Sequence, residues 1–111
     1  MKTYVLNTPV ITNYGVFKFE KIDIENAKKL LKSSNFISAV GHKGTADIMS
    51  RLFGVEIPNN RVAITMQPGD QAIVFRLLVR MEEGRVLSME DLKNLPYEIA
   101  LLTMLDGDGG E

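Results

Sequence analysis

The sequence predicts a single small α/β domain, in which two or three helices pack on a mixed, mostly antiparallel sheet. The chain has 111 residues and is 45% hydrophobic, which suits one compact domain with a modest core. Apolar runs typical of strands alternate with amphipathic segments typical of helices, and two of the runs flank a Pro-Gly turn. We assign residues 1–105 to the domain and residues 106–111 to a disordered acidic tail.

The first elements are two strands and a helix. Tyr4–Leu6 is a short apolar run, and Val16–Ile22 alternates apolar with charged residues, as expected of a strand with one solvated face. Asp23 is a good N-cap for a helix that continues to about Lys32, because apolar residues recur there at helical spacing.

A strand-to-helix junction contains the only histidine. The apolar run Phe36–Val40 predicts a third strand, and Thr45 is expected to be the N-cap of a helix that ends at Phe53. His42 therefore lies between the end of a strand and the beginning of a helix.

Backbone N–H groups and the positive end of the helix dipole make such a junction favourable for an anion, most often phosphate. Gly41 and Gly44 allow the backbone to approach a ligand closely. The imidazole of His42 is a candidate proton donor, since histidine changes charge near neutral pH. The alternative is that His42 is an ordinary surface residue at a glycine-containing turn.

The second half of the chain is predicted to contain a hairpin. Arg61–Met66 and Gln71–Val79 are strand-like runs joined by a turn at residues 67–70, and Val55–Ile57 is an edge strand or a connection. The hairpin would bring Arg61 close to Arg80.

A short helix and a strand are predicted to end the domain. Ser88 resembles the first residue of a capping box, so that a helix follows it and ends before Pro96. Tyr97–Leu105 is the last apolar strand.

Two arginines and a glutamate are further candidates for a site. Arg61 and Arg80 could clamp a phosphate with their planar guanidinium groups, or each could pair with an acid such as Glu82. Glu83 could orient a hydroxyl or hold an arginine, or it could lie in a solvated turn. Two asparagines near the N-terminus are also candidates: Asn7 and Asn13.

Composition excludes several kinds of site. The chain has no cysteine, and its single histidine excludes metal sites built on several histidines. Its 13 basic and 14 acidic residues provide no strongly basic field for long DNA or RNA. No segment resembles a signal peptide, a membrane span or a nucleotide-cofactor fingerprint. We expect a cytoplasmic protein without metal or cofactor, in the host cytoplasm if its source is a virus.

Three motifs together resemble the ring nucleases, a family that includes viral type III anti-CRISPR proteins and their bacterial relatives. They are Gly41-His42 followed by Thr45, then Asn60-Arg61-Val62, then the run from Arg80 to Ser88. Each motif is short, but their order and spacing are fairly specific, and the likeness covers most of the chain.

The resemblance implies a homodimer that degrades cyclic tetra-adenylate, the second messenger of type III CRISPR immunity, without a metal. In that reaction a ribose 2′-hydroxyl attacks the neighbouring phosphate, and His42 protonates the leaving 5′-oxygen. Arg80 and Glu83 match the family's active-site arginine and glutamate, and Arg61 matches an arginine that contacts the ligand.

The resemblance also assigns ligand contacts outside the catalytic group. The residues expected to bind the substrate are Asn7, Thr12, Asn13, Gly41, Lys43, Gly44, Thr45 and Arg61. Viral members have aspartate and serine in place of Lys43 and Gly44, so Lys43 is expected to add a positive charge. Thr12 or Asn13 is expected to replace a serine of the viral N-terminal loop.

Two other functions fit the same sequence. The pocket could bind or sequester a cyclic nucleotide without cleaving it, or the scaffold could be that of a DNA-binding regulator. The lack of a basic stripe counts against the DNA-binding function.

Overall fold

The computed structural model describes residues 2–7, 14–78 and 89–106. This part of the chain contains five strands and three helices. In chain order they are β1 (Thr3–Leu6), β2 (Val16–Lys21), α1 (Ile24–Lys32), β3 (Phe36–Ser38), α2 (Lys43–Phe53), β4 (Gln71–Leu77), α3 (Met89–Asn94) and β5 (Tyr97–Asp106). None of these helices has the length and apolar character that crossing a membrane requires.

The five strands form one mixed sheet in the order β2-β5-β4-β1-β3. β1 is parallel to both β3 and β4, whereas β5 is antiparallel to both β4 and β2. The prediction of a mixed sheet is confirmed: of the four strand pairings two are parallel and two, the longer ones, are antiparallel. The helix α2 lies between β3 and β4 in the chain and supplies the long crossover that parallel strands need.

The helices α1 and α2 cover one face of the sheet. Their buried residues include Leu31 of α1 and Phe53 of α2, which belong to one apolar cluster with Val5, Ile73 and Phe75 of the central strands. Alternation along β4 places Ile73 and Phe75 on this face. The hydrophobic core is therefore mainly the interface between this face of the sheet and the helices α1 and α2.

The opposite face is covered in part by residues 61–67, which form no strand. Met66 is buried there, and Ile64 packs against the same cluster. The buried residues of this face are Tyr4, Leu6, Met66, Ala72, Val74, Leu102 and Met104. The remainder of the face is more open, and Phe19 of β2 is 57% exposed.

The predicted hairpin of Arg61–Met66 with Gln71–Val79 is wrong. β4 pairs with β1 along one edge and with β5 along the other, so neither edge is left for residues 61–66. The turn itself is present, because the Asp70 carboxylate accepts the Gln67 N–H at 2.8 Å and Gly69 adopts a left-handed φ of 95°. The local turn was predicted correctly, but the strand that pairs with β4 was not.

The other predicted elements differ from the structure mainly at their ends. Asp23 is the N-cap of α1 as predicted, and its Oδ1 accepts the Asn26 N–H at 2.8 Å. β3 ends at Ser38, and Val55–Ile57 is a connection without strand structure.

The predicted last helix and strand are present as α3 and β5. Ser88, the predicted cap of that helix, lies outside the described residues. β5 extends to Asp106, which the prediction assigned to the tail, and residues 107–111 are also outside the described part.

Candidate functional site

A cleft of about 600 Å³ lies at the carboxyl ends of the parallel strands β1 and β3. The described residues that line it are Leu6, Asn7, Ala39, Gly41, His42, Arg61, Val62, Ala63 and Ile64. Leu6 ends β1, and Ala39 directly follows β3. The two residues lie at the same edge of the sheet because strands that run in the same direction end at the same edge. In open α/β sheets this edge is where ligands usually bind.

His42 is the N-cap of α2, so the prediction that Thr45 has this role is wrong. The backbone of His42 is extended, with φ −126° and ψ 117°, and its Nδ1 accepts the Thr45 N–H at 3.2 Å. The helix thus begins at Lys43 and includes Gly44 in its first turn. An imidazole nitrogen here replaces the side-chain oxygen that caps most helices.

The cap determines which nitrogen of His42 is available for chemistry. Because Nδ1 accepts a hydrogen bond from a backbone N–H, the neutral ring carries its proton on Nε2. The Thr45 hydroxyl is also 3.2 Å from Nδ1, and as a hydroxyl it can accept a bond from Nδ1 when the ring is protonated. Thr45 therefore offers a partner to either protonation state and leaves Nε2 free.

Thr45 is buried, with 8% of its surface exposed, and does not line the cleft. Both of its polar contacts here are with His42. The resemblance predicts that Thr45 binds the substrate, whereas the structure places it beneath His42, where it orients the imidazole.

Arg61 lies beside the histidine in the same cleft. A Cβ built on Gly41 would come within 3.0 Å of the Arg61 Cγ, so the arginine stem lies directly against the Gly41 backbone. Within the described ranges, Arg61 forms no ion pair, and none of the residues found there to line the cleft is acidic. The guanidinium is therefore available to an anion.

The N-terminus of α2 adds to this arrangement. The first N–H groups of a helix have no acceptor within the helix, and here His42 caps the Thr45 N–H. Because His42 lines the cleft, the positive end of the α2 dipole lies next to it. Together with Arg61, this end of the helix gives the cleft a positive potential that suits a phosphate group.

The structure brings together four of the predicted site residues: Asn7, Gly41, His42 and Arg61. The Lys43 side chain instead borders a shallow groove with Asp47 and Arg51 on the outer side of α2. The predicted proximity of Arg61 and Arg80 rested on the hairpin, which the structure does not contain. Four predicted residues lie outside the described ranges: Thr12, Asn13, Arg80 and Glu83.

Two residues next to the cleft were missed by sequence reasoning. Ser38 Oγ donates to the Pro58 carbonyl at 2.6 Å, and Asn60 Nδ2 donates to the Ser38 carbonyl at 2.7 Å. Asn60 directly precedes Arg61 within the Asn60-Arg61-Val62 motif, which was the only sequence signal for it. Ser38 gave no signal beyond being a polar residue in an apolar run.

The fold and the site together define a class: a small α/β protein with a mixed five-stranded sheet and a cleft, lined in part by a histidine and an arginine, at the carboxyl ends of parallel strands. The chain belongs to the STIV B116-like family, whose model matches residues 3–99.

Relatives occur in an archaeal virus and in a bacterium. Uncharacterized protein 26 of Sulfolobus islandicus filamentous virus (isolate Iceland/Hveragerdi) is 37% identical over 107 residues, which cover 92% of this chain and 91% of the viral protein. Uncharacterized protein YddF of Bacillus subtilis strain 168 is 36% identical over 108 residues, covering 96% and 100% of the two chains. Among solved structures, B116 of Sulfolobus turreted icosahedral virus superimposes with a TM-score of 0.80 at 26% identity, covering 93% of this chain and 99% of B116.

Proposed function

We propose that this protein is a metal-independent ring nuclease that cleaves cyclic tetra-adenylate and so ends a type III CRISPR response. The observation that carries the proposal is the cleft itself, which brings His42, the cap of α2, together with Arg61 and has no acid among the described residues that line it. This combination suits a phosphodiester. The resemblance of the motifs to ring nucleases indicates that the phosphodiester belongs to cyclic tetra-adenylate.

The reaction needs little from the protein, because the nucleophile belongs to the substrate. The ribose 2′-hydroxyl loses its proton to solvent as its oxygen forms a bond to the adjacent phosphorus, and the bond from phosphorus to the 5′-oxygen breaks, which leaves a 2′,3′-cyclic phosphate end and a 5′-hydroxyl end. Holding the two reacting groups in line supplies much of the rate enhancement. The leaving 5′-oxygen requires a proton, which His42 provides through Nε2.

Three further charged side chains would take part in the reaction. Arg61 binds it in the cleft, and Arg80 stabilises the additional negative charge of the phosphorane-like transition state. Glu83 orients the attacking hydroxyl or Arg80. Arg80 and Glu83 lie outside the described residues, and their roles come from the resemblance alone.

The proposal includes a homodimer. Cyclic tetra-adenylate has a two-fold axis, so a symmetric dimer can present the same cleft to two opposite phosphates. Light scattering in the presence of the ring would then give a mass of two chains, and titration would give one ring bound per two chains.

The first test is to incubate the protein with labelled cyclic tetra-adenylate and excess EDTA. We expect linear di-adenylate products, and a cleavage rate about 10²–10⁴-fold lower for His42→Asn. Asparagine is chosen because it is also a good N-cap, so that the loss reports chemistry rather than the start of α2. The matched control is Arg76→Ala, which removes an arginine that does not line this cleft.

Each outcome of this test assigns the protein to a class. Cleavage that depends on His42 supports the nuclease. Tight binding without cleavage would instead make the protein a sensor or a sequestering module for the ring. A protein that neither binds nor cleaves the ring would contradict the proposal.

A further inference from the structure

We propose that Asn60 is a positioning residue, which fixes Arg61 beside His42 by joining its own segment to the end of β3. The inference rests on the proposed function only for its effect on cleavage, since the positioning itself can be measured without a substrate. It assigns a role to a residue that is not itself among those that line the cleft.

Asn60 contacts β3 through both its backbone and its side chain. Its N–H donates to the Val40 carbonyl at 2.8 Å, and its Nδ2 donates to the Ser38 carbonyl at 2.7 Å. The Ser38 hydroxyl completes the contact by donating to the Pro58 carbonyl at 2.6 Å. We call these three hydrogen bonds the Ser38–Asn60 clasp.

The clasp forms at the free edge of the sheet. β3 is the outermost of the described strands and lies beside β1, so its carbonyls that face away from β1 have no partner among those strands. Residues 58–60 fill this edge, and Val40 and Asn59 form a parallel bridge there. An unpaired strand edge would otherwise leave polar backbone groups for solvent or another chain.

The clasp controls the site because each of its two segments leads directly into residues of the cleft. Gly41 and His42 come next in the chain after Val40, and Arg61 comes next after Asn60. The two segments run in the same direction at the bridge, so both segments continue from it towards the cleft. The Arg61 stem then lies against Gly41, where no side chain intervenes.

Arg61 has no other constraint among the described residues that would hold it in place. It is exposed and forms no ion pair there, so its position depends on the backbone at Asn60 and on the contact with Gly41. Because the clasp already orders the backbone that carries Arg61, only the rotamers of its side chain remain to be ordered when a ligand binds.

The test compares Asn60→Ala with Asn59→Ala, its exposed neighbour, whose side chain takes no part in the clasp. Because the chain has one histidine, the ring signals in an NMR spectrum of the ligand-free protein belong to His42. The Arg61 Nε signal is assigned by its disappearance in Arg61→Lys. We expect Asn60→Ala to shift the His42 ring signals and lower the order parameter of the Arg61 side chain, whereas Asn59→Ala leaves both unchanged.

The second readout is cleavage of cyclic tetra-adenylate. We expect Asn60→Ala to lower kcat/KM by about 10-fold, as a small misplacement of a binding group does. In an Arg61→Ala background the same change should have no further effect, since two residues that act through one interaction are not additive. A merely structural role would lower activity equally in both backgrounds.

The outcomes separate this inference from the proposed function. If the NMR signals of Asn60→Ala match those of the wild type, or if the two substitutions are additive, the inference is wrong. If the wild type cleaves no ring but the NMR differences are found, the nuclease proposal fails and the positioning role stands. Should Asn60→Ala unfold at the measuring temperature, Asn60→Ser, which is too short to reach the Ser38 carbonyl, replaces it.

Discussion

Two clefts on the same face of the sheet each contain an arginine, and the two arginines have different surroundings. In the first cleft Arg61 has no ion pair within the described residues and lies beside His42. In the second, a cleft of about 230 Å³ over β2, β5 and β4, Arg76 is paired with Glu98. The clefts are neighbours, because Leu6 lines one, Val74 lines the other, and the two residues are register partners.

The difference follows from the elements that build each cleft. Arg76 and Glu98 lie opposite each other on the antiparallel strands β4 and β5, so their charges compensate across the sheet. Arg61 lies on an irregular segment next to a helix N-terminus, where the backbone itself carries positive potential. The first cleft therefore has a net positive potential, whereas in the second cleft the charge of the arginine is compensated by the glutamate.

The comparison predicts that the two arginines differ strongly in ligand binding. Arg61→Ala should weaken the affinity for cyclic tetra-adenylate by about 10- to 100-fold, the value of a hydrogen bond to a charged group. Arg76→Ala should change the affinity by less than about twofold, since its charge is already compensated and exposed. Calorimetric titration of the ring into each variant, in the cleavage-deficient His42→Asn background, measures both values.

The control for this prediction is Arg61→Lys. Lysine keeps the charge but loses the planar fork, so its affinity should fall between those of wild type and Arg61→Ala. Equal losses of affinity for Arg61→Ala and Arg76→Ala would mean that the ring binds by net charge alone. The difference between the two clefts would then not affect ligand binding.

The fold was predictable where the signal was local. Asp23 and the apolar stripe behind it specify the beginning and the face of α1 within a short stretch of sequence, and the structure agrees. The strand partner of β4 was not predictable in this way. Pro68 and Gly69 specify a turn, but whether residues 61–66 pair with β4 depends on β1, which is distant in the sequence and already occupies that edge.

The site was predictable in its residue types but not in its geometry. Gly41, His42 and Arg61 stand out as chemistry-bearing residues in the sequence, and the structure brings them into one cleft. Their juxtaposition comes from the parallel bridge between Val40 and Asn59, which no periodicity in either segment indicates. The capping role of His42 was missed because threonine is the more common cap and lies three residues further on.

A smaller effect is expected on stability, and it tests whether the first cleft is built on a capped helix. His42→Ala should lower the free energy of unfolding by about 0.5–2 kcal/mol, because the Thr45 N–H loses its acceptor. His42→Asn should stay within about 0.5 kcal/mol of the wild type, since asparagine is among the best caps. Urea denaturation monitored by circular dichroism gives these values.

Asp23→Ala is the matched control at the other capped helix, where the Asp23 side chain accepts the Asn26 N–H. It should destabilise the protein by an amount similar to that for His42→Ala and leave ring cleavage unchanged. If His42→Ala is as stable as the wild type, the hydrogen bond from Thr45 contributes nothing in solution, and Nδ1 is not committed to the cap.

The smallest expected effect comes from releasing the arginine of the second cleft. Glu98→Gln keeps the shape of the side chain and removes the charge opposite Arg76, so that each cleft then contains an arginine with no ion pair to any residue that the structure describes. Because both side chains of this pair are about half exposed, the free energy of unfolding should change by less than about 1 kcal/mol. Urea denaturation checks that value, and titration of Glu98→Gln with cyclic tetra-adenylate should show the same single class of site as the wild type. A second class of site in that titration would mean that an uncompensated arginine suffices to bind the ring. Its absence would show that the anion site also requires what only the first cleft has, which is the N-terminus of α2 and the histidine that caps it.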